Sequence, residues 1–257
     1  MTLAAPTFFL TLRALVQFPR LPAVLVFSMV PPILQLLLFG AIFGKLPDQI
    51  DTFPTDNYYE YLAPAVVFFT TVLGVANAGV ALANDFKTGY FHKLILAPIS
   101  MNAVLLGRLF ADGVRVFLQA GLILVLALAF GARVATGVPG ALMMLLISTL
   151  FSLFTVGIIV ANIGLRSKSE QAVQAIFPLF FLLIFLTTAF LPKVSMGSDV
   201  IRTIIDVNPA EYVVQLMREL MLDGWHLDSL ALAAGIIAGC MVVGIVITQL
   251  NYRTVYK

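Results

Sequence analysis

Six predominantly apolar stretches of this chain approach the length a helix needs to cross a bilayer, roughly 20 residues for a hydrocarbon core of about 30 Å; the third is free of charge only from Val116 to Phe130 and carries Arg108, Asp112 and Arg115 at its mouth. The six cover residues 21–43, 61–83, 105–130, 140–165, 173–191 and 230–250. Backbone polar groups inside hydrocarbon must be satisfied within the segment, so runs of this length commit to helices. The expected fold is therefore an all-α integral membrane protein with six transmembrane helices, its residues 1–257 forming a single transmembrane domain. Composition agrees: 61% of residues are hydrophobic and 11% charged, against about 25% charged in soluble domains. Pro31 and Pro32 are expected to bend the first span; the fifth is short and contains Pro178.

The same composition excludes several classes of function. A net charge of +2 with no Lys/Arg run argues against nucleic acid as a partner. Cys240 is the lone cysteine, so no intrachain disulfide forms, and it reads as a small core residue. His226 has no second His, Cys or acidic cluster beside it, so no metal site is expected. With Trp225 and Tyr212 it suits an interfacial anchor. No Ser/His/Asp, paired-carboxylate or His-rich constellation lies near a membrane face, so no catalytic residue is assigned. The sequence GAIFGK at 40–45 falls one residue short of a phosphate-binding loop and ends an apolar run. Its glycines, like Gly235 and Gly239 in the last span, read as helix-packing positions, the latter pair compatible with a dimer.

The first 20 residues lack a basic region ahead of their apolar part, so cleavage as a signal peptide is not expected. Phe8, Leu12, Leu15 and Phe18 recur at helical spacing beside Arg13, Gln17 and Arg20, which suits a helix lying in the membrane interface. Putting both termini in the cytoplasm places Arg13, Arg20, Lys87, Lys93, Arg108, Arg115, Arg166, Lys168, Arg253 and Lys257 inside. Lys45, Arg133, Lys193, Arg202 and Arg218 are then outside, the asymmetry of the positive-inside rule. Between the fifth and sixth spans, residues 192–228 hold two short helical segments, 200–207 and 211–222, split by Asn208-Pro209. Each is too short to cross, and the pair reads either as a helical hairpin dipping into the outer leaflet or as an exposed loop with a surface helix.

No ionisable residue is expected near the middle of any span; the polar groups there are uncharged, Gln35, Asn77, Gln119 and Asn162 among them. Ion-coupled carriers rely on an intramembrane carboxylate or a broken-helix ion site, so energy for any transport is expected from another chain. One sizeable polar-mixed segment, residues 84–115, then faces the cytoplasm. Asn84 is a candidate cap, and Phe86, Tyr90 and Leu94 make an apolar stripe beside Asp85, Lys87 and Lys93 until Pro98. Arg108, Asp112 and Arg115 follow at i, i+4 and i+7 on one helix face, at the mouth of the third span. A solvated positive-inside loop with snorkelling arginines fits the same residues.

The segment NDFKTGYFHKLILAPISMNAVLLGRLFAD resembles the signature region of permease subunits of type-2 ATP-binding-cassette (ABC) exporters, in particular the daunorubicin-resistance and nodulation-factor export branch. The matching positions are Asp85, Gly89, Lys93, Leu94, Pro98, Gly107 and Arg108. The Pro-Pro of the first span and Asn208-Pro209 with Arg218 before the last are similar to the same family, so the likeness spans essentially the whole chain. It implies six spans, an N-terminal interfacial helix, and a re-entrant helical hairpin before the sixth span. It implies a second permease copy, in a homodimer or a pair, and two copies of a separately encoded ABC ATPase that binds ATP and Mg; this chain would hold no cofactor of its own.

By that likeness residues 84–97 form the coupling helix between spans 2 and 3. Asp85, Phe86, Lys87, Gly89, Tyr90, Lys93 and Leu94 would contact the ATPase, braced by Arg108 and Asp112. The second and fifth spans would flank the substrate pathway, with Phe68, Thr71, Gln174, Phe177, Phe181, Phe185 and Thr188 along it; packing against neighbouring helices or lipid explains the same aromatic spacing. The function implied is ATP-driven export of a hydrophobic or amphiphilic, drug-like compound across the plasma membrane. Export of a lipid or lipid-linked glycan by the same architecture is the alternative, and a channel or membrane scaffold without ATPase the second.

Overall fold

The computed structural model describes residues 7–9, 11–13, 22–50, 53–88, 101–193 and 197–255. Its elements are α1 (Pro22–Phe43), α2 (Leu46–Gln49), α3 (Tyr58–Lys87), α4 (Met101–Ala129), α5 (Gly137–Ser152), a π-helical turn (Leu153–Gly157), α6 (Ile158–Ser167), α7 (Glu170–Gln174), α8 (Phe177–Phe185), α9 (Asp199–Val207), α10 (Pro209–Leu222) and α11 (Leu227–Val255). Among the described residues five helical stretches are long and apolar enough to cross a membrane: Val26–Gln49, Tyr58–Asp85, Leu106–Ala129, Gly137–Ser167 and Leu227–Leu250.

The stretch expected as a fifth span, residues 173–191, is instead a broken helix whose apolar part, Glu170–Phe185, is shorter than these five. Pro178 sits in the first turn of α8, where its missing N–H costs nothing, so the sequence restarts a helix there rather than continuing one. After Phe185 the chain leaves helical geometry, yet residues 187–190 are buried. Their backbone groups are met by side chains from other helices, the condition for irregular backbone at such a place.

The bundle is built around α3. Three quarters of its membrane-length window is buried, against 11% for the last span, and it packs on α1, α4, α5, α6, α7, α8 and α10. Small residues make this possible. A Cβ added at Gly164 of α6 would overlap the Gly79 carbonyl, and one at Gly79 would overlap the Val160 carbonyl, so α3 and α6 cross backbone to backbone. Gly40 gives room to the Tyr59 ring, which itself stacks on Phe130 at 5.1 Å. Gly235 and Gly239 have no atom within 4 Å of where a Cβ would stand, leaving α11 with an open small-residue face.

A π turn interrupts the fourth span where Leu153 packs over Gly113 and Gly157 lies against Val75 and Leu109. One turn earlier, Thr71 of α3 meets Ser148 (2.6 Å) and Ser152 (2.9 Å) of α5 in a fully buried hydroxyl cluster. At the N-terminus, Thr7–Phe9 and Thr11–Arg13 are helical with Phe8, Phe9 and Leu12 exposed. Thr11 donates to the Gly107 carbonyl at 3.1 Å, which ties this segment to the start of the third span.

Candidate functional site

The segment expected to dock a soluble partner starts as the last turn of α3, which runs through residues 84–87 without a break. Asp85 is half-buried and within electrostatic reach of Arg108 and Arg13. Phe86 and Lys87 belong to the same turn; Gly89, Tyr90, Lys93, Leu94 and Pro98 lie outside the described residues.

From Asp85 a chain of charges continues into the bundle along α4. Arg108 donates through Nε to Asp112 Oδ2 at 3.2 Å, and Arg115 stands 3.4 Å from Asp112 Oδ1. The Asp112 side chain is 1% exposed. An acid so buried is tolerated because both its oxygens face guanidinium groups. The sequence placed Arg115 at the mouth of its span, and the structure corrects this. α4 begins at Met101, and Arg115 lies nine residues inside Leu106–Ala129, about 13 Å at 1.5 Å per residue. Its guanidinium donates to the Gly74 carbonyl at 2.6 Å, near the middle of the Tyr58–Asp85 span. An ionisable group therefore does reach the interior of the membrane-length bundle.

Arg115 opens onto a cavity of about 210 Å³ enclosed by four helices. α1 contributes Ser28, Pro31 and Pro32; α3 contributes Phe69, Thr70, Leu73 and Gly74; α4 contributes Arg115 and Gln119; α8 contributes Phe177 and Phe181. Two adjacent prolines remove the donors that would pair with the Phe27 and Ser28 carbonyls, so the helix wall is polar where it meets the cavity. Gln119 bridges from α4 to α1 by donating to Ser28 Oγ at 2.7 Å. The remaining walls are aromatic, with Phe69 and Phe181 edge to face at 5.4 Å.

From this cavity a run of rings leads toward the junction of α9 and α10. Phe181 stacks on Phe185 (6.4 Å), Phe185 meets Phe190 (5.2 Å), and Phe190 meets Phe39 (4.8 Å). Phe39 then touches Phe43, and Phe43 touches Tyr58, which lies beside Tyr61. There a second cavity, about 400 Å³, is lined by Pro54, Tyr61, Thr188, Lys193, Glu211, Tyr212 and Arg218 among others.

A dense polar clamp borders this second cavity and holds the irregular end of the broken helix. Glu211 accepts from the Thr188 N–H and hydroxyl, both at 2.6 Å. Arg218 donates to Thr188 Oγ1 and to its carbonyl, while lying 4.0 Å over the Tyr61 ring. Tyr61 and Tyr58 donate to the carbonyls of Thr188 (2.8 Å) and Phe190 (3.2 Å). Asn208 caps α10 and donates to the carbonyls of Leu183 and Leu186. The Asn-Pro break thus serves as a bracket for the preceding segment, and Lys193 pairs with Asp206 at the rim.

Of the pathway residues expected from sequence, Phe177 and Phe181 line the first cavity and Thr188 the second. Phe185 is half exposed and stacks between them, and Gln174 is exposed at the end of α7. Phe68 packs on Phe151 at 5.5 Å in the core, and Thr71 is spent in the hydroxyl cluster. Sequence reasoning missed Arg115, Gln119 and Ser28 as cavity residues and Glu211, Tyr58 and Tyr61 as clamp residues. A charged or amide residue at each successive turn of α4 from Arg108 to Gln119 was the available signal for Arg115 and Gln119. Among the described residues no group of three or more His, Cys, Asp or Glu could hold a metal.

Comparison with known proteins places this architecture. Residues 6–222 match the family described as ABC-2 type transporter. The chain is 26% identical over 243 residues to the daunorubicin resistance ABC transporter permease protein DrrB1 of Streptomyces coeruleorubidus, covering 94% of this chain and 83% of that one. It is 28% identical over 217 residues to the transport permease ycf38 of Cyanophora paradoxa, covering 83% and 73%. A family match over more than four fifths of the chain, carried by apolar helices of spanning length, establishes that this multi-pass membrane protein belongs to the ABC-2 type transporter family.

Proposed function

We propose that the chain is the permease subunit of an ATP-driven exporter, moving a hydrophobic or amphiphilic compound from the cytoplasm or inner leaflet across the plasma membrane. The observation that carries this reading is the pair of cavities joined by a run of aromatic rings, within a chain of the ABC-2 family. The daunorubicin-resistance relative favours a drug-like cargo. Such a path can hold apolar and flat groups without a strong single site, which suits passage rather than capture.

Energy comes from two copies of an ABC ATPase, which hold the ATP and Mg. They dock on residues 84–97, with Asp85, Phe86, Lys87, Gly89, Tyr90, Lys93 and Leu94 forming the contact. Arg108 and Asp112 pass its motion to α4, and the π turn opposite Gly113 and Leu109 gives the fourth span a place to flex. The broken helix counts functionally as a sixth crossing, completed by the hairpin re-entering from the outer side, with residues 1–20 in the interface and both termini cytoplasmic. Two permease copies meet at the open Gly235 and Gly239 face of α11.

The test is co-purification of the chain with a co-expressed ABC ATPase, followed by ATP hydrolysis and export in proteoliposomes. Gly89→Pro is expected to abolish ATPase binding while leaving the permease folded. Stable folding without any ATPase association, and ion flux without ATP, would favour a channel instead.

A further inference from the structure

Gln35 is a carboxamide near the middle of the first span, nine residues into Val26–Gln49, and it is 8% exposed. Its Oε1 is sealed from solvent and accepts from no described residue. Buried polar groups in native structures are paired with few exceptions, and each exception calls for a reason. The demand is stronger inside hydrocarbon, where bulk water cannot serve the group. Two other amides inside spans obey the rule: Gln119 donates to Ser28, and Asn162 donates to the Ile158 carbonyl and to Thr248.

The place of Gln35 on α1 gives the reason. Ser28, Pro32, Gln35 and Phe39 stand at i, i+4, i+7 and i+11, one stripe of the helix. Ser28 and Pro32, with Pro31, wall the first cavity. Phe39 belongs to the run of rings that passes through Phe190 and Phe185 to Phe181. Gln35 stands between the two, about one helical turn or 5.4 Å beyond the cavity wall. It is enclosed by its own chain, so a second permease copy does not reach the amide.

We infer that Gln35 is the polar contact of the path between the two cavities, and that it selects flat apolar cargo carrying an uncharged hydroxyl or N–H donor. As such a molecule leaves the first cavity, its ring passes from Phe181 toward Phe39 and its donor meets Gln35 Oε1. A site built to hydrogen-bond a donor rejects the analogue that leaves the site unpaired, so a hydrocarbon of the same shape is disfavoured. This assignment rests on the export reading and deepens it by naming the cargo class and the residue that reads it.

The experiment measures binding of radiolabelled 1-naphthol to the full chain in phosphatidylcholine nanodiscs, with empty nanodiscs as the blank. 1-Methylnaphthalene, with a methyl in place of the hydroxyl, is the competitor. 1-Naphthol is expected to bind saturably and the hydrocarbon at least ~10-fold more weakly, one decade in Kd. Gln35→Leu is expected to weaken 1-naphthol at least ~10-fold and to leave the hydrocarbon within ~2-fold of wild type. Its thermal midpoint should stay level or rise, because an unpaired buried acceptor is exchanged for an apolar side chain. A lower midpoint with equal loss for both ligands would assign the amide a structural role and overturn the inference. Equal wild-type affinity for the two ligands, the result if a water serves the amide, also overturns it. So does a wild-type protein with no saturable 1-naphthol binding, or a monodisperse Gln35→Leu protein that keeps the full preference. The wild-type comparison decides the matter if Gln35→Leu does not fold. None of these measurements needs an ATPase, so their failure leaves the coupling test above standing, and the converse also holds.

Discussion

Arg218 donates to both oxygens of Thr188, at 2.9 Å to the hydroxyl and 2.7 Å to the carbonyl. Glu211, seven residues before Arg218 on the same helix, accepts from the N–H and hydroxyl of that threonine. One residue of irregular backbone is thereby saturated by a cation and an anion from α10. Arg218→Gln is expected to lose about 1.5–3 kcal/mol, the range for hydrogen bonds to a charged group, and Glu211→Gln a similar amount. The midpoint of thermal unfolding of the detergent-solubilised protein checks this. A midpoint unchanged in both variants would mean the clamp is not holding the segment.

The crossing of α3 and α6 leaves no room for side chains at Gly79 and Gly164. Gly164→Leu is expected to exceed the ~1–3 kcal/mol typical of overpacking, because the obstacle is a backbone carbonyl that cannot swing aside. Size-exclusion chromatography of a fluorescent fusion should show loss of the monodisperse peak. A normal peak would contradict the close approach.

On α11 the opposite outcome is expected. Gly235→Leu and Gly239→Leu meet no atom of their own chain, so the permease should fold normally. If two copies pack there, both variants will show reduced self-association by chemical crosslinking in membranes. Undiminished crosslinking would place the contact on another face.

Asp112 stands between two arginines on one helix face, and Asp112→Asn leaves like charges facing each other in a buried site. Substrate-stimulated ATPase activity of the permease–ATPase complex is expected to fall roughly five-fold or more, the range of a coupling free energy of 1–3 kcal/mol. The folded peak on size exclusion should persist, since both arginines keep other partners. Full coupling in the variant would remove Asp112 from the transmission route.

Topology is checked by cysteine labelling in intact cells after Cys240→Ser. Asp223→Cys, beyond α10, should react with a membrane-impermeant maleimide added outside. Ser167→Cys, at the end of α6, should react only after permeabilisation. The reverse pattern would invert the chain and move the proposed ATPase contact to the wrong side.

Several features were legible before any tertiary structure. Runs of apolar residues determine helices wherever water is absent, so the membrane class and the positions of five long helices follow from the chain alone. Asn208-Pro209 marked a break between two short helices, and the break is there. The i, i+4, i+7 spacing of Arg108, Asp112 and Arg115 put the acid between two cations, and the ion pairs form.

Depth and facing were not legible, because both depend on where helices distant in sequence come to rest. Arg115 reads as a rim residue when its span is measured by hydropathy, yet its guanidinium reaches Gly74, 41 residues away in sequence. Residues 173–191 have the composition of a span, but side chains from α3 and α10 can satisfy bare carbonyls at 188 and 190, which frees that backbone from being helical. Phe68 and Phe181 share a residue type and an apolar surround; one fills the core against Phe151 and the other walls a cavity. Hydropathy and periodicity are local properties that determined which segments become helices. Which face of each helix meets a neighbour, a lipid or an open space was decided by long-range packing around α3, where Gly79 and Gly164 let α3 and α6 cross backbone to backbone.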